Sequence, residues 1–183
     1  MRWSVVLVAL ATLVLGGCTL NSVPTAMLTV PTEYPLDTGD VVRVTVYGDT
    51  TITNTYTVTD KGTINIPLAG PVQVRGRTLS ATEQMITARL ADGYMISPKV
   101  SVEITTYRPF FIDGAVTNSG QFPYVWGMTA RAAVATAGGF KDYADRTHVT
   151  LFRKAPKSTV KISIPLDTPI RPGDTLVAED RWF

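Results

Sequence analysis

The sequence predicts an α+β fold built from two small domains, each combining a mixed sheet with one helix. Short β-branched segments alternate apolar and polar residues and are separated by glycine-containing turns, which is typical of strands. Two other segments, residues 80–90 and 130–137, carry helix signals, and the strand pattern restarts between them. We therefore expect one domain at residues 34–106 and a second at residues 107–183.

The amino terminus has the anatomy of a secretory leader. Arg2 precedes an uncharged apolar run over residues 3–15, which is shorter than the about 20 residues needed to cross a bilayer. The run ends in Leu15-Gly16-Gly17-Cys18, and Cys18 is the single cysteine of the chain. We expect residues 1–17 to direct export and Cys18 to provide the anchor.

The Leu-Gly-Gly-Cys sequence resembles the bacterial lipoprotein signal. The resemblance implies lipidation of the Cys18 thiol, cleavage between Gly17 and Cys18, and acylation of the new amino terminus by a chain such as palmitate. Because each buried methylene contributes about 0.8 kcal/mol, several acyl chains give firm tethering. Thr19 stands where an aspartate would favour the inner membrane, so the periplasmic face of the outer membrane is expected. The alternative is a soluble periplasmic protein with an unmodified leader cysteine.

Composition limits the classes of partner and of stabilisation. The chain has 17 basic and 15 acidic side chains, and one basic residue, Arg2, lies in the leader. This near-neutral charge argues against nucleic acid as a partner, because nucleic-acid binding relies on a basic face that neutralises phosphates. A single cysteine cannot form a disulfide within the chain. Stability must therefore come from packing, and residues 18–183 are numerous enough to bury a core or two small ones.

A polar, proline-containing tether over residues 18–33 leads into the first domain. The strands predicted there lie at residues 41–47, 55–59, 63–66, 72–74 and 99–105. In the first of them, alternating valines at positions 42, 44 and 46 share one face. The turn Asp60-Lys61-Gly62 predicts that the second and third strands form a β-hairpin.

The first helix is predicted over residues 80–90. Ser80 can cap its backbone and Glu83, three residues later, can reciprocate, which is the capping-box pattern. Gly93 is placed to end the helix. Its core face is expected to carry Met85, Ile86 and Leu90.

The second domain repeats the combination of strands with one helix. Its predicted strands lie at residues 107–116, 121–125, 148–153, 160–164 and 175–178. Thr129 can serve as the N-cap of an alanine-rich helix over residues 130–137, which has high intrinsic helix propensity. Gly138-Gly139 stops this helix.

Two turns share one sequence pattern: Gly39-Asp40 precedes the first strand, and Gly173-Asp174 precedes the last. Glycine adopts the required dihedral and aspartate hydrogen-bonds nearby backbone groups. The two aspartates are therefore interpreted as turn formers rather than as functional residues.

Several blocks of sequence carry a resemblance to a known family. Residues 34–47, 60–70 and 97–102 resemble the polysaccharide biosynthesis/export domain of bacterial outer-membrane export lipoproteins. Residues 111–124 and 137–140 resemble the soluble-ligand-binding β-grasp (SLBB) module that follows this domain in the family. The resemblance implies a β-grasp-like fold for the second domain.

The resemblance also implies partners. Members of the family form homo-oligomeric rings that carry capsular or exopolysaccharide from an inner-membrane polysaccharide copolymerase towards the exterior. Larger relatives end in an amphipathic helix that forms the outer-membrane pore, whereas this sequence ends at Trp182 and Phe183. We expect a separate pore protein to complete the crossing, because only helices and closed barrels satisfy their backbone in lipid. Trp182 and Phe183 are candidates for contact with the membrane or another subunit; packing within the domain is the alternative.

A different class of function is compatible with the same residues. The protein would then be a lipid-anchored module that binds polysaccharide or braces an envelope complex without transporting anything. Monomeric behaviour would favour this class, since one chain of this size cannot enclose a conduit.

No enzyme activity, cofactor or metal is expected. His148 is the only histidine and lies in a strand-like segment without a visible partner, and with Cys18 lipidated the chain cannot supply a zinc-binding set. Asp142 and Asp145 follow a Gly-Gly turn and are expected to be solvated. Paired carboxylates of the glycosidase type are an alternative that the sequence leaves undecided, because the distance between two such groups is set by the fold and not by sequence spacing.

Two further groups of residues allow two interpretations each. A basic cluster is either a solvated hairpin or a site for an acidic glycan; it comprises Arg153, Lys154, Lys157 and Lys161. Aromatic residues either stack on sugars or pack in a core or subunit interface; they include Tyr107, Phe110, Phe111 and Trp126.

Overall fold

The computed structural model describes residues 32–155 and 158–181. The predicted cleavage and lipidation residues, Gly17 and Cys18, lie outside these ranges, as do Trp182 and Phe183. Across the described ranges, no helix combines the length and the apolar character that a bilayer crossing requires.

The described chain contains ten strands and two helices. In order they are β1 (Val41–Val46), β2 (Asp49–Thr57), β3 (Thr63–Ile66), β4 (Gly70–Gln73), α1 (Leu79–Ala91), β5 (Val100–Thr106), β6 (Phe110–Gly114), β7 (Gly120–Phe122), α2 (Ala130–Thr136), β8 (His148–Lys154), β9 (Thr159–Pro165) and β10 (Thr175–Ala178). They pack around two separate apolar cores, one formed before residue 103 and one after residue 109. The predicted α+β class is confirmed.

The first domain has a three-stranded antiparallel sheet of order β2-β1-β5, with α1 packed against β5. The alternating valines of β1 are buried, as their spacing predicts. The predicted hairpin between residues 55–59 and 63–66 is wrong. β2 pairs with β1 across a tight turn at Tyr47 and Gly48, and β3 pairs with β4. The physical reason is that β2 begins at Asp49, directly after this turn. The strand therefore runs back along β1 as far as Thr57 and pairs with β1, not with β3.

Helix α1 begins earlier than predicted, and its capping box is not formed. Thr78 is the N-cap, with an extended backbone, and its hydroxyl accepts a hydrogen bond from Ala81 N at 3.2 Å. Glu83 instead accepts a hydrogen bond from Val102 N at 2.8 Å. Since β5 is the outer strand of its sheet, the Glu83 carboxylate accepts from a backbone N–H that would otherwise have no partner at the sheet edge.

The second domain has a five-stranded mixed sheet of order β7-β6-β10-β8-β9, in which β6 and β10 run parallel and the other neighbours antiparallel. Helix α2 starts at the predicted N-cap, Thr129, whose hydroxyl accepts from Ala132 N at 3.4 Å. Ala130 and Ala133 are fully buried, because their small side chains let the helix lie close to its neighbours. A mixed sheet with one helix agrees with the predicted β-grasp-like domain.

The two Gly-Asp turns have the same local geometry. Asp40 accepts a hydrogen bond from Asp37 N at 2.7 Å, and Asp174 accepts one from Arg171 N at 2.6 Å. Gly39 and Gly173 have φ of +89° and +82°, a region that favours glycine. The turn-forming role predicted for both aspartates is confirmed, and both carboxylates are buried.

Candidate functional site

Arg108 holds the two domains together at their junction. Its backbone N–H donates to Asp40 Oδ1 at 2.9 Å, and its Nη1 donates to the Tyr34 hydroxyl at 2.7 Å. Nη1 also lies 3.2 Å from Asp40 Oδ2. Asp40 is fully buried, and a buried charge needs partners. Its partners are Arg108, the Tyr34 hydroxyl and the turn backbone.

Both Gly-Asp turns lie against the side chain of Arg108. A Cβ on Gly39 would stand 3.6 Å from Arg108 Cβ, and a Cβ on Gly173 would stand 2.9 Å from Arg108 Nε. Gly173 N also donates to Pro109 O at 2.9 Å. The turns repeat in sequence and meet in space, one from each domain, with the Arg108 side chain against both.

The Tyr34 phenol is kept neutral by its surroundings. Burial raises its pKa far above the ordinary value, the Arg108 guanidinium opposes that rise, and the Asp40 carboxylate adds to it. A neutral phenol can donate to Asp40 Oδ2, which lies 2.8 Å away. Tyr34 therefore acts as a hydrogen-bond donor to the buried carboxylate.

Four aromatic rings continue the junction. Tyr34 of the first domain meets Trp126 of the second edge to face, with centroids 5.4 Å apart. Tyr107, in the connection between the domains, stacks on Trp126 at 5.9 Å and meets Tyr124 at 5.6 Å. Such aromatic pairs contribute roughly 0.5–1.5 kcal/mol each beyond the area they bury.

The candidate aromatics divide between core and surface. Phe110 is fully buried in the second core, and Tyr107 is packed against that core. Phe111 and Trp126 remain 42% and 38% exposed. Sequence reasoning identified Tyr107 and Trp126 as aromatic candidates but missed their partners, Tyr34 and Tyr124.

The predicted basic cluster is not a single surface feature. Arg153 is buried and forms a two-pronged ion pair with Asp174, at 2.8 and 2.5 Å, which neither proposed interpretation anticipates. A guanidinium fork matches a carboxylate geometrically, so the pair is structural. Lys161 lies over the Phe152 ring at 5.5 Å and Lys154 is exposed, whereas Lys157 falls outside the described residues.

A cleft of about 490 Å³ opens beside the junction. The end of β5, the connection between the domains and the edge strand β7 form its walls. It is lined by Thr105, Thr106, Tyr107, Pro109, Gln121, Phe122, Pro123 and Tyr124. None of these lining residues is charged.

The residues considered for catalysis lie apart from this cleft lining. His148 is exposed on β8, with Nδ1 3.0 Å from the Thr147 hydroxyl. Asp145 bonds the Thr147 hydroxyl and backbone, which lowers the pKa of its carboxyl group, and Asp142 lies 3.5 Å from Arg146. Within residues 32–155 and 158–181, no three acidic, histidine or cysteine side chains are grouped to hold a metal ion.

Comparison with known proteins matches both halves of the chain. The family described as polysaccharide biosynthesis/export protein matches residues 28–105, and the SLBB domain family matches residues 108–176. The exopolysaccharide production protein ExoF of Rhizobium meliloti (strain 1021) is 30% identical over 92 residues, which cover 49% of this chain and 22% of ExoF.

The polysialic acid transport protein KpsD of Escherichia coli is 28% identical over 109 residues, which cover 58% of this chain and 20% of KpsD. The match thus spans about a fifth of the length of each of these relatives. The two domain families, matched in order, and these relatives show that the chain carries a domain of the polysaccharide biosynthesis/export protein family followed by an SLBB domain.

Proposed function

We propose that this protein is a periplasm-facing outer-membrane lipoprotein that forms part of a ring-shaped conduit for exporting capsular or exopolysaccharide. The observation that carries the proposal is the order of the two domain matches, an export domain followed by an SLBB domain, on one chain. Relatives named for exopolysaccharide production and polysialic acid transport match the same region in part.

The junction supports a role as a ring subunit. A subunit that repeats around a ring must present both of its contact surfaces at a fixed angle, because a small error accumulates before the ring closes. Arg108, Asp40 and Tyr34 connect the domains through hydrogen bonds to a fully buried carboxylate. These contacts favour one orientation of the domains.

Exposed apolar side chains offer surfaces for protein partners. Ile96 is 100% exposed and Tyr47 is 82% exposed, and Tyr47 N donates to Lys99 O at 2.9 Å, close in sequence to Ile96. We propose that Tyr47 and Ile96 contact other copies of the chain or the inner-membrane polysaccharide copolymerase.

The proposed anchor is Cys18, lipidated after cleavage behind Gly17 and followed by a tether of residues 19–33. Trp182 and Phe183 are proposed to contact the membrane or a neighbouring subunit. Deleting these two residues is then expected to reduce assembly or export, and unchanged assembly and export would remove both roles.

The test is the amount of polysaccharide outside cells that lack the protein. We expect external polymer to fall at least about tenfold on deletion, to be restored by the wild-type chain, and not to be restored by Cys18→Ala at equal protein level. Unchanged external polymer on deletion would contradict the export role and favour the non-transporting module.

A further inference from the structure

The cleft beside the junction has walls from both domains. Thr105 and Thr106 belong to the last strand of the first domain, and Gln121 and Phe122 belong to the edge strand of the second. Its volume of about 490 Å³ falls within the range of about 300–1,000 Å³ that is usual for ligand sites. Clefts between domains are also a preferred position for such sites.

The aromatic part of the lining is held in place by neighbouring rings. Tyr107 stacks on Trp126 at 5.9 Å and meets Tyr124 edge to face, and Phe122 stacks on Phe110 at 5.9 Å. Because these contacts fix the rings before a ligand arrives, binding to them costs little conformational entropy. The cleft therefore presents a preformed apolar surface.

The polar part of the lining consists of uncharged donors and acceptors. The side chains of Thr105, Thr106 and Gln121 make no hydrogen bonds to the described part of the chain, and Thr105, Thr106 and Gln121 are exposed. Hydroxyl and amide groups can both donate and accept. They match a ligand rich in hydroxyl groups better than a phosphate or a carboxylate, which would call for a cationic partner.

We propose that this cleft binds an uncharged stretch of the polysaccharide. The apolar faces of the sugar rings would lie on Tyr107 and Phe122, while their hydroxyl groups would bond the side chains of Thr105, Thr106 and Gln121. The choice of polysaccharide as the ligand class rests on the proposed function, whereas the absence of charge and the aromatic lining come from the cleft itself. Binding would be weak, which suits a polymer that must move on.

The experiment is saturation-transfer difference NMR on the full-length lipoprotein extracted in detergent. The probes are fragments of about six to eight sugars, obtained by partial hydrolysis of the polysaccharide that the parent strain secretes; this length gives several rings that can stack. Irradiation of the aromatic protons is expected to saturate the ring protons of the sugar. The method reads weak binding and tolerates a large oligomer.

Two variants act on the cleft and one is a matched control. Gln121→Ala removes an exposed amide, and Phe122→Leu removes the ring while keeping an apolar side chain against the core. Gln84→Ala removes an exposed amide on α1, outside the cleft lining. Each cleft variant is expected to bind about fivefold more weakly, the usual loss for one hydrogen bond or stacking contact, and the control to bind as the wild type does. Unchanged thermal unfolding of Gln121→Ala shows that folding is not the cause.

Equal binding by all variants, or no saturation transfer with the wild type, would overturn the proposal. So would a changed oligomer mass in the cleft variants without a change in sugar binding, since the cleft would then be a contact between copies. If deletion of the protein abolishes export but sugar binding does not depend on the cleft, the proposed sugar site is wrong and the export role stands. If sugar binding depends on the cleft but deletion leaves export unchanged, the sugar site stands and the export role is wrong.

Discussion

The Asp40 carboxylate has two structural roles, one in its own turn and one in the contact with Arg108. The Gly-Asp turn needs its aspartate for backbone hydrogen bonds, and this need alone accounts for the residue type. The same carboxylate also binds Arg108, which lies 68 residues further along the chain. A turn former is thereby also the main polar contact between the domains.

At Gly173 we predict an effect that backbone strain alone does not explain. Gly173 and Gly48 have similar positive φ, +82° and +84°, but only a Cβ at Gly173 would meet Arg108 Nε, at 2.9 Å. Gly48→Ala is expected to cost about 1 kcal/mol through strain. Gly173→Ala is expected to cost about 1 kcal/mol more, because Arg108 must leave its position. Urea unfolding followed by circular dichroism measures both, and equal costs would contradict the contact.

Tyr34 should make stability depend on pH in the alkaline range. Its pKa is raised from 10.0 by burial, so the neutral phenol contributes stability that is fully present below pH 10 and is lost as the pH rises towards the folded-state pKa. Thermal unfolding from pH 8 to pH 11 is expected to show this loss. Tyr34→Phe is expected to reduce it, while Tyr94→Phe, at an exposed tyrosine, should leave it as it is. A Tyr34→Phe protein with an unchanged pH profile would contradict the assigned role.

At the scale of elements, pattern predicts a strand well where one face is buried. The valines of β1 alternate and are buried, and the helix start at Thr129 follows from its sequence. β2 has the opposite character: within Asp49–Thr57 only Ile52 is buried, so alternation does not reveal where the strand begins. The hairpin prediction is wrong for this reason, because the sequence pattern does not show the first half of β2.

Helix α1 shows that a matching local motif can be used for a distant contact. Ser80 and Glu83 fit a capping box by spacing, yet Thr78 caps the helix and Glu83 bonds β5. The bond to Val102 crosses 19 residues of sequence, and no local pattern could show it. Likewise, the aromatic candidates were visible in the sequence, but their meeting with Tyr34 depends on how the domains pack.

The corrected start of α1 has a direct test. Thr78→Ala removes the hydroxyl that accepts from Ala81 N and is expected to cost about 1 kcal/mol of unfolding free energy. Ser80→Ala acts at an exposed position inside the helix and is expected to change the unfolding free energy by less than about 0.5 kcal/mol. Chemical denaturation of the two variants compares them directly. A larger loss of unfolding free energy for Ser80→Ala than for Thr78→Ala would contradict the assignment of Thr78 as the N-cap and support the capping box.

At the scale of the whole molecule, a buried polar contact and an aromatic cluster join the two domains of the subunit. The repeated Gly-Asp turns place their glycines against one arginine, and the cleft opens next to that junction. Composition and motifs could predict two α+β domains and the family they resemble. Their mutual orientation depends on contacts between distant residues, which sequence spacing does not encode.

Ring formation by this chain is the central claim, and single-particle electron microscopy tests it most directly. The full-length lipoprotein, extracted from membranes in mild detergent, should appear as closed rings built from copies of this one chain. Mass photometry of the same sample should give a multiple of the subunit mass. A sample that contains only monomers under these conditions, with its lipid anchor intact, would contradict the account.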